Sequence, residues 1–139
     1  MISGSSSDII NVMNYVKNIN PLSVDERGSI KNLIGDDTTI SSVLLITSKK
    51  GTVRANHYHK KDIHYMYVIK GKMEYLYKDK KKKNSRMKNV IIEEGQIVQT
   101  PNMTFHAVKF LENTVFLALT TQQRERKKYE DDTVRIKLV

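Results

Sequence analysis

The chain has 139 residues, enough for one domain with a real core and with no break in composition that argues for two. It contains no cysteine, which excludes a disulfide framework, a thiolate nucleophile and cysteine-ligated zinc. The formal charge of +9 calls for an anionic partner or a solvated lysine-rich surface, and no stretch approaches the ~20 apolar residues of a membrane span. With no secretion signal at the N-terminus, the expectation is a cytoplasmic protein.

In chain order, Ser3 to Ser7 belong to a Gly/Ser stretch, so residues 1–8 read as a flexible N-terminus and 9–139 as the folded domain. Ile9, Val12, Met13 and Val16 fall at helical spacing, although the same run could be a strand that pairs with a partner subunit. Asn20-Pro21 breaks that segment. Asp25, Arg27 and Gly28 make a turn feeding a strand from about Ser29 to Ile34. Short strands then follow: ISSVLLIT, TVRANHYH, IHYMYVI, KMEYLYK, MKNVIIEE, QIVQTP, TFHAVKF and TVFLALTT. Eight or more strands with turn residues at close spacing predict an all-β antiparallel sandwich or barrel. Its interior candidates are Val43, Leu45, Val68, Ile91, Val98, Val108, Phe116 and Ala118, with Met66 and Met103 also taken as core. Gln122 to Lys128 reads as a charged connector and TVRIKLV as a closing edge strand, against the barrel or a second subunit.

Three of the four histidines lie between Gly51 and His64. On a strand, the period of two puts His57 and His59 on one face. His64 shares a face with Met66 and Val68, which turns Tyr65 and Tyr67 away from it, and His106 groups with Val108. Lys70-Gly71 supplies the hairpin turn between the next two strands. The basic residues fall in two groups. Lys78 to Lys83 read as a solvated loop tip, while Lys49, Lys50, Arg54, Lys60 and Lys61 flank the histidines as a rim suited to an anionic ligand such as a nucleotide diphosphate. No zinc-finger spacing, arginine-rich helix or RNA-binding signature points to nucleic acid.

Gly51-x5-His57-x-His59-x4-His64-x6-Gly71 resembles the first cupin motif, with His64 where metal-binding cupins place a glutamate. Gly95-x5-Pro101-x-Met103-x2-His106 resembles the second, with Met103 where a glycine is usual. The resemblance covers most of residues 25–120 and implies a single jelly-roll barrel. Within it, Asp25-Glu26-Arg27-Gly28 is similar to an element of the dTDP-4-dehydrorhamnose 3,5-epimerases. Arg54-Ala55-Asn56-His57-Tyr58-His59-Lys60 is similar to the Arg-Gly-x-His-x-His-Lys element of the dTDP-sugar 3,4-ketoisomerases, and to cupin domains of capsular-polysaccharide enzymes. Ala55 replaces the usual glycine, and His64 the glutamine common in ketoisomerases. By position, the resemblance implies His57 as base on a 4-keto sugar, His59 as its companion and Arg54 and Arg27 as phosphate contacts. Lys60, His64 and His106 complete the substrate-binding set, and a homodimer with exchanged strands is implied.

The chemistry also follows from the residues. A hydrogen beside a ketone becomes removable when a base lies within reach and the enolate oxygen meets a donor. Histidine, with an ordinary pKa of about 6.5, is largely neutral and yet reprotonatable near neutral pH. The expected activity is thus an isomerase or epimerase of a nucleotide-linked 4-keto-6-deoxy sugar, with no cofactor required. Two other readings use the same residues: a metal-dependent cupin enzyme with a divalent ion such as zinc on His57, His59, His64 and His106, and a non-catalytic sugar-nucleotide-binding module.

Overall fold

The computed structural model describes residues 16–35, 37–79 and 84–139. Two five-stranded antiparallel sheets face each other as a jelly roll. The first has the order β1 (Val16–Asn18), β9 (Gln96–Thr100), β6 (His64–Lys70), β11 (Thr114–Thr120), β4 (Ser42–Ser48). The second has the order β12 (Thr133–Arg135), β5 (Val53–His59), β10 (Thr104–Phe110), β7 (Lys72–Asp79), β8 (Lys88–Glu93). A separate hairpin pairs β2 (Ser23–Asp25) with β3 (Gly28–Ile30). Among the described residues a single helix, α1 (Arg126–Asp132), sits between β11 and β12. Among the described residues no helix is long and apolar enough to cross a membrane.

The sandwich forms because its central strands alternate. On β6, His64, Met66 and Val68 are buried while Tyr65 and Tyr67 are only partly covered, and on β7 the buried set is Met73, Tyr75 and Tyr77. Their inward faces meet Val98, Val108, Phe110, Phe116 and Ala118, with the Phe110 and Phe116 rings stacked 5.6 Å apart. Tyr75, fully buried, satisfies its hydroxyl with Thr100 Oγ1 at 2.7 Å.

At Gly71 the β6–β7 turn requires glycine twice over. Its φ is +108°, and an added Cβ would lie 2.6 Å from the Asn113 carbonyl oxygen and 2.7 Å from Thr114 Cα. A backbone clash of that kind cannot be relieved by turning a side chain.

Several expectations are corrected. Val43, Leu45 and Ile91 point outward, at 61, 68 and 39 % exposure, and Leu44, Ile46 and Ile92 take the inner face. VLLI and VII are unbroken apolar runs, so alternation could not choose the face. Met103 is only partly buried and takes φ +58°, at the position where the resemblance expects glycine. The strand expected from Ser29 stops at Ile30, and part of the expected charged connector is α1. TVRIKLV contributes β12, paired with β5 of its own chain. Residues 1–8, the Ile9 to Tyr15 segment and Lys80 to Lys83 lie outside the described residues.

Candidate active site

β5 reaches the interior through a bulge. His106 pairs with His57 and Ala107 with Ala55, so the register slips by one residue. The extra residue is accommodated by two consecutive left-handed non-glycine residues, Ala55 at φ +73° and Asn56 at +58°. Asn56 is held there by the C-terminal segment: its Oδ1 accepts from the Leu138 and Val139 amides at 2.9 and 3.1 Å, and its carbonyl from Ile136. Beyond the bulge, His57, Tyr58 and His59 are all buried.

The four histidines come together as the sequence predicts. Ring centroids lie 4.5 Å apart for His57–His59, 4.8 Å for His57–His106, 5.0 Å for His64–His106 and 5.4 Å for His59–His64. All four are at most 6 % exposed. Neighbouring groups fix three of the tautomers. His106 Nδ1 lies 3.0 Å from the Thr104 carbonyl, which can only accept, so Nδ1 carries the proton. Thr133 Oγ1 gives its hydrogen to the Tyr129 carbonyl, so it accepts from His59 Nδ1 at 3.2 Å. His64 Nδ1 faces the Asp62 carboxylate at 3.2 Å. In their neutral forms each of these rings therefore has its lone pair on Nε2.

Burial, first of all, pushes His57 down to about 3, and the neighbouring His64, Arg135 and Arg124 push it the same way. Burial likewise brings His59 to about 3 and His106 well below its ordinary value. The cluster is thus dominated by neutral imidazoles at neutral pH.

The cavity in front of these rings has a volume of about 450 Å3. His57, His64 and His106 are among its lining residues, and His59 is not. Leu44, Ile46, Met66, Val108, Phe116 and Ala118 form an apolar wall, and Arg54, Arg124, Tyr129 and Arg135 stand among the remaining lining residues.

The other predicted binding residues fare differently. Arg54 lines the cavity, but its guanidinium is partly engaged: Nε donates to Ser48 Oγ at 2.6 Å and Nη2 to the Thr47 carbonyl at 3.0 Å. Lys60 is not brought to the cavity; it lines a separate depression with Lys61, Lys128 and Asp132 because it follows the last residue of β5. Arg27 is also elsewhere in the chain, at the tip of the β2–β3 hairpin, its side chain 84 % exposed and ion-paired to Asp25 at 2.7 Å.

Five site residues escaped the sequence reading: Asp62, Arg124, Tyr129, Asp132 and Arg135. Asp62 is 4 % exposed, and its Oδ1 accepts from the Thr121 and Gln122 amides, each at 3.1 Å. Burial alone would raise its pKa, yet the His64 hydrogen bond and the Gln122 amide bring it below the ordinary value. Asp132 holds the β5–β6 loop through the Lys61 and Asp62 amides and lies 3.6 Å from His59 Nδ1. The Tyr129 ring stands 5.6 Å from His59 and 6.5 Å from His57. The Asp-x-His spacing of Asp62 and His64 was the one signal available, since a carboxylate two residues from a histidine can reach its ring.

The donor set suits a divalent metal such as zinc. One nitrogen each of His57, His59 and His106 fall within 4.8 Å of one another, and His57 Nδ1 and His59 Nε2 are buried without a partner among the described residues. Carbonyl, hydroxyl and carboxylate groups behind His106, His59 and His64 are the supports that ligating imidazoles use.

A profile described as the polysaccharide biosynthesis C-terminal domain matches residues 23–134. No curated protein matches the sequence. Among solved structures, the chain is similar to a 3,4-ketoisomerase from Helicobacter canadensis, with a TM-score of 0.70 at 18 % identity over 86 % of this chain and 88 % of that one. It is similar also to a variant 3,4-ketoisomerase from Thermoanaerobacterium thermosaccharolyticum in complex with TDP-4-keto-6-deoxyglucose, with a TM-score of 0.69 at 17 % identity over 86 and 85 % of the two chains. A dTDP-4-dehydrorhamnose 3,5-epimerase from Sulfolobus tokodaii gives 0.68 at 17 % identity over 85 and 72 %. These likenesses agree with the jelly roll expected from the histidine motifs, and the extent of the profile match settles membership: the chain belongs to the polysaccharide biosynthesis C-terminal domain family.

Proposed function

We propose that the protein is an isomerase or epimerase of a nucleotide-linked 4-keto-6-deoxy sugar, with His57 as the base. The observation that carries this reading is a buried imidazole lining a mixed cavity: His57 is 6 % exposed, its Nδ1 meets no partner among the described residues, and the cavity it lines joins apolar and cationic side chains. His57 takes the hydrogen from the carbon beside the ketone. The C–H pair becomes the enolate double bond, and the former carbonyl oxygen takes the negative charge. Return of the proton to the same carbon from the other face epimerises it. Transfer of the neighbouring hydroxyl proton, with protonation of the former carbonyl carbon, moves the ketone instead.

His59, its Nδ1 donating to Thr133 and its ring 4.5 Å from that of His57, packs against the base as its companion. The apolar wall of Leu44, Ile46 and Phe116 suits the methyl of a 6-deoxy sugar, and the arginines suit the diphosphate. A nucleotide-sugar ligand is supported by the ketoisomerase solved with TDP-4-keto-6-deoxyglucose.

Two copies complete the reading. The detached β2–β3 hairpin exposes Leu22, Val24 and Ile30 at 71, 70 and 62 %, and the outer face of β4 exposes Val43 and Leu45. So much apolar surface on a chain of this size fits a homodimer. A dimer would also give Arg27 a route to a partner's site.

A metal-dependent activity is the second reading, favoured by the supported imidazoles. His57, His59 and His106 would hold the ion, which would supply Lewis-acid polarisation of a bound oxygen.

The test is proton NMR of the protein with dTDP- or UDP-4-keto-6-deoxyhexose in heavy water. Wild type is expected to wash out a C3 or C5 proton, and His57→Ala to slow that exchange by roughly 10²- to 10⁴-fold. Equal exchange in the variant would remove His57 as base. Metal content measured on the same sample separates the second reading.

A further inference from the structure

The segment after the barrel brings two arginines to the cavity that the motifs do not include. Arg124 follows β11 by four residues and Arg135 ends β12, and both line the histidine cavity. Among the described residues that line it, none is a carboxylate. Arg124 stacks on Tyr129, with its guanidinium carbon 4.3 Å from the ring centroid. That platform holds the planar cation in place and costs it little of its charge. Its Nε is buried and meets no acceptor among the described residues. A buried charged donor without an acceptor is expensive, and an arriving anion removes the cost.

Arg135 is paired to Glu130 and also meets Tyr129. Glu130 is half exposed, so the pair is one that a more highly charged ligand can displace. Both cations already act on the site, since each helps to lower His57. Arg54, by contrast, has Nε and Nη2 committed to Ser48 and Thr47, which leaves it fewer donors for a ligand.

We propose that Arg124 and Arg135, both in contact with Tyr129, are the principal diphosphate clamp of this site, with Arg54 as an accessory contact. This rests on the nucleotide-sugar reading above for the identity of the ligand, but the anion site itself stands on the geometry of the C-terminal segment. A nucleoside diphosphate has the charge and, on each tetrahedral phosphate, the paired acceptor oxygens that a guanidinium fork matches.

The experiment is titration calorimetry with TDP and, separately, with inorganic pyrophosphate. It uses wild type, Arg124→Met, Arg124→Lys, Arg135→Met and, as a charge-matched control, Lys128→Met. Lys128 is exposed and bonded to Gln123 on a different depression. A charge-assisted contact predicts that each Arg→Met change weakens both ligands by roughly ten- to a hundredfold. Arg124→Lys should recover only part of the loss, and Lys128→Met should change either affinity less than about twofold. Circular dichroism of each variant confirms that the fold is kept.

If the arginine variants bind pyrophosphate as well as Lys128→Met does, or if wild type binds neither ligand, the clamp is overturned. The function reading is judged apart from this, by His57-dependent proton exchange. Arginine-dependent binding without exchange on any 4-keto sugar would leave the clamp standing and remove the isomerase. Exchange without arginine dependence would do the reverse.

Discussion

The barrel strands bury their inward side chains almost completely, Val68, Met73, Tyr75, Ile92 and Val98 to zero exposure, whereas residues 122–139 include no fully buried side chain. Both regions nevertheless reach the same cavity. The barrel is held by apolar area, which is indifferent to direction, and it supplies the histidines on rigid strands. The C-terminal segment is held by directional polar contacts: Asp132 on the β5–β6 loop amides, Asn56 on the amides of Leu138 and Val139, Asp62 on those of Thr121 and Gln122. The difference teaches a division of labour, in which a stiff wall carries the base and a separately fastened strap carries Tyr129, Arg124 and Arg135 over it.

The comparison can be broken most forcefully from the barrel side. Phe110→Ala removes a ring that is 1 % exposed and stacked on Phe116, and should cost about 3–5 kcal/mol in urea unfolding. Because β10 also carries His106, that loss should come as a single cooperative transition. Acid should act next, through the histidines. His57 and His59 sit near 3 in the fold but near their ordinary value when unfolded, so between those limits the unfolded chain binds more protons. Their contribution is complete above about pH 6.5 and is lost as pH falls toward 3. Melting temperature should therefore decline from pH 7 to pH 5, and His57→Gln should flatten the decline.

The strap gives the smallest effect. Asn56→Ala deletes two amide contacts and should cost about 1–2 kcal/mol. Hydrogen exchange should quicken at Leu138 and Val139 far more than in β6 or β11. Equal quickening everywhere would show one cooperative unit and dissolve the comparison.

Sequence patterning revealed the barrel and hid the strap, for reasons visible in particular residues. Alternation in HYMYV assigns His64, Met66 and Val68 to the interior, and the His57/His59 pairing follows from the same period. Continuous runs defeat it, which is why Val43 and Leu45 changed places with Leu44 and Ile46. Helix α1, RKKYEDD, has Tyr129 alone as an apolar anchor and no stripe to announce a helix. Asp62 looks like any solvated charge after two lysines until the fold brings Thr121 and Gln122 to it. Lys60 follows the histidine pair closely in sequence and still faces another depression, so proximity along the chain was a poor guide to the cavity.

Gly71 has a consequence for anyone who searches this protein by random mutagenesis. Any side chain there must push against the Asn113–Thr114 backbone, and Thr114 begins the strand that lies between β6 and β4. Inactive clones will gather at this turn although it touches no ligand. A map of function-killing positions would then mark Gly71 as brightly as His57, and only a measure of how much folded protein each clone makes would tell the hinge pin from the blade.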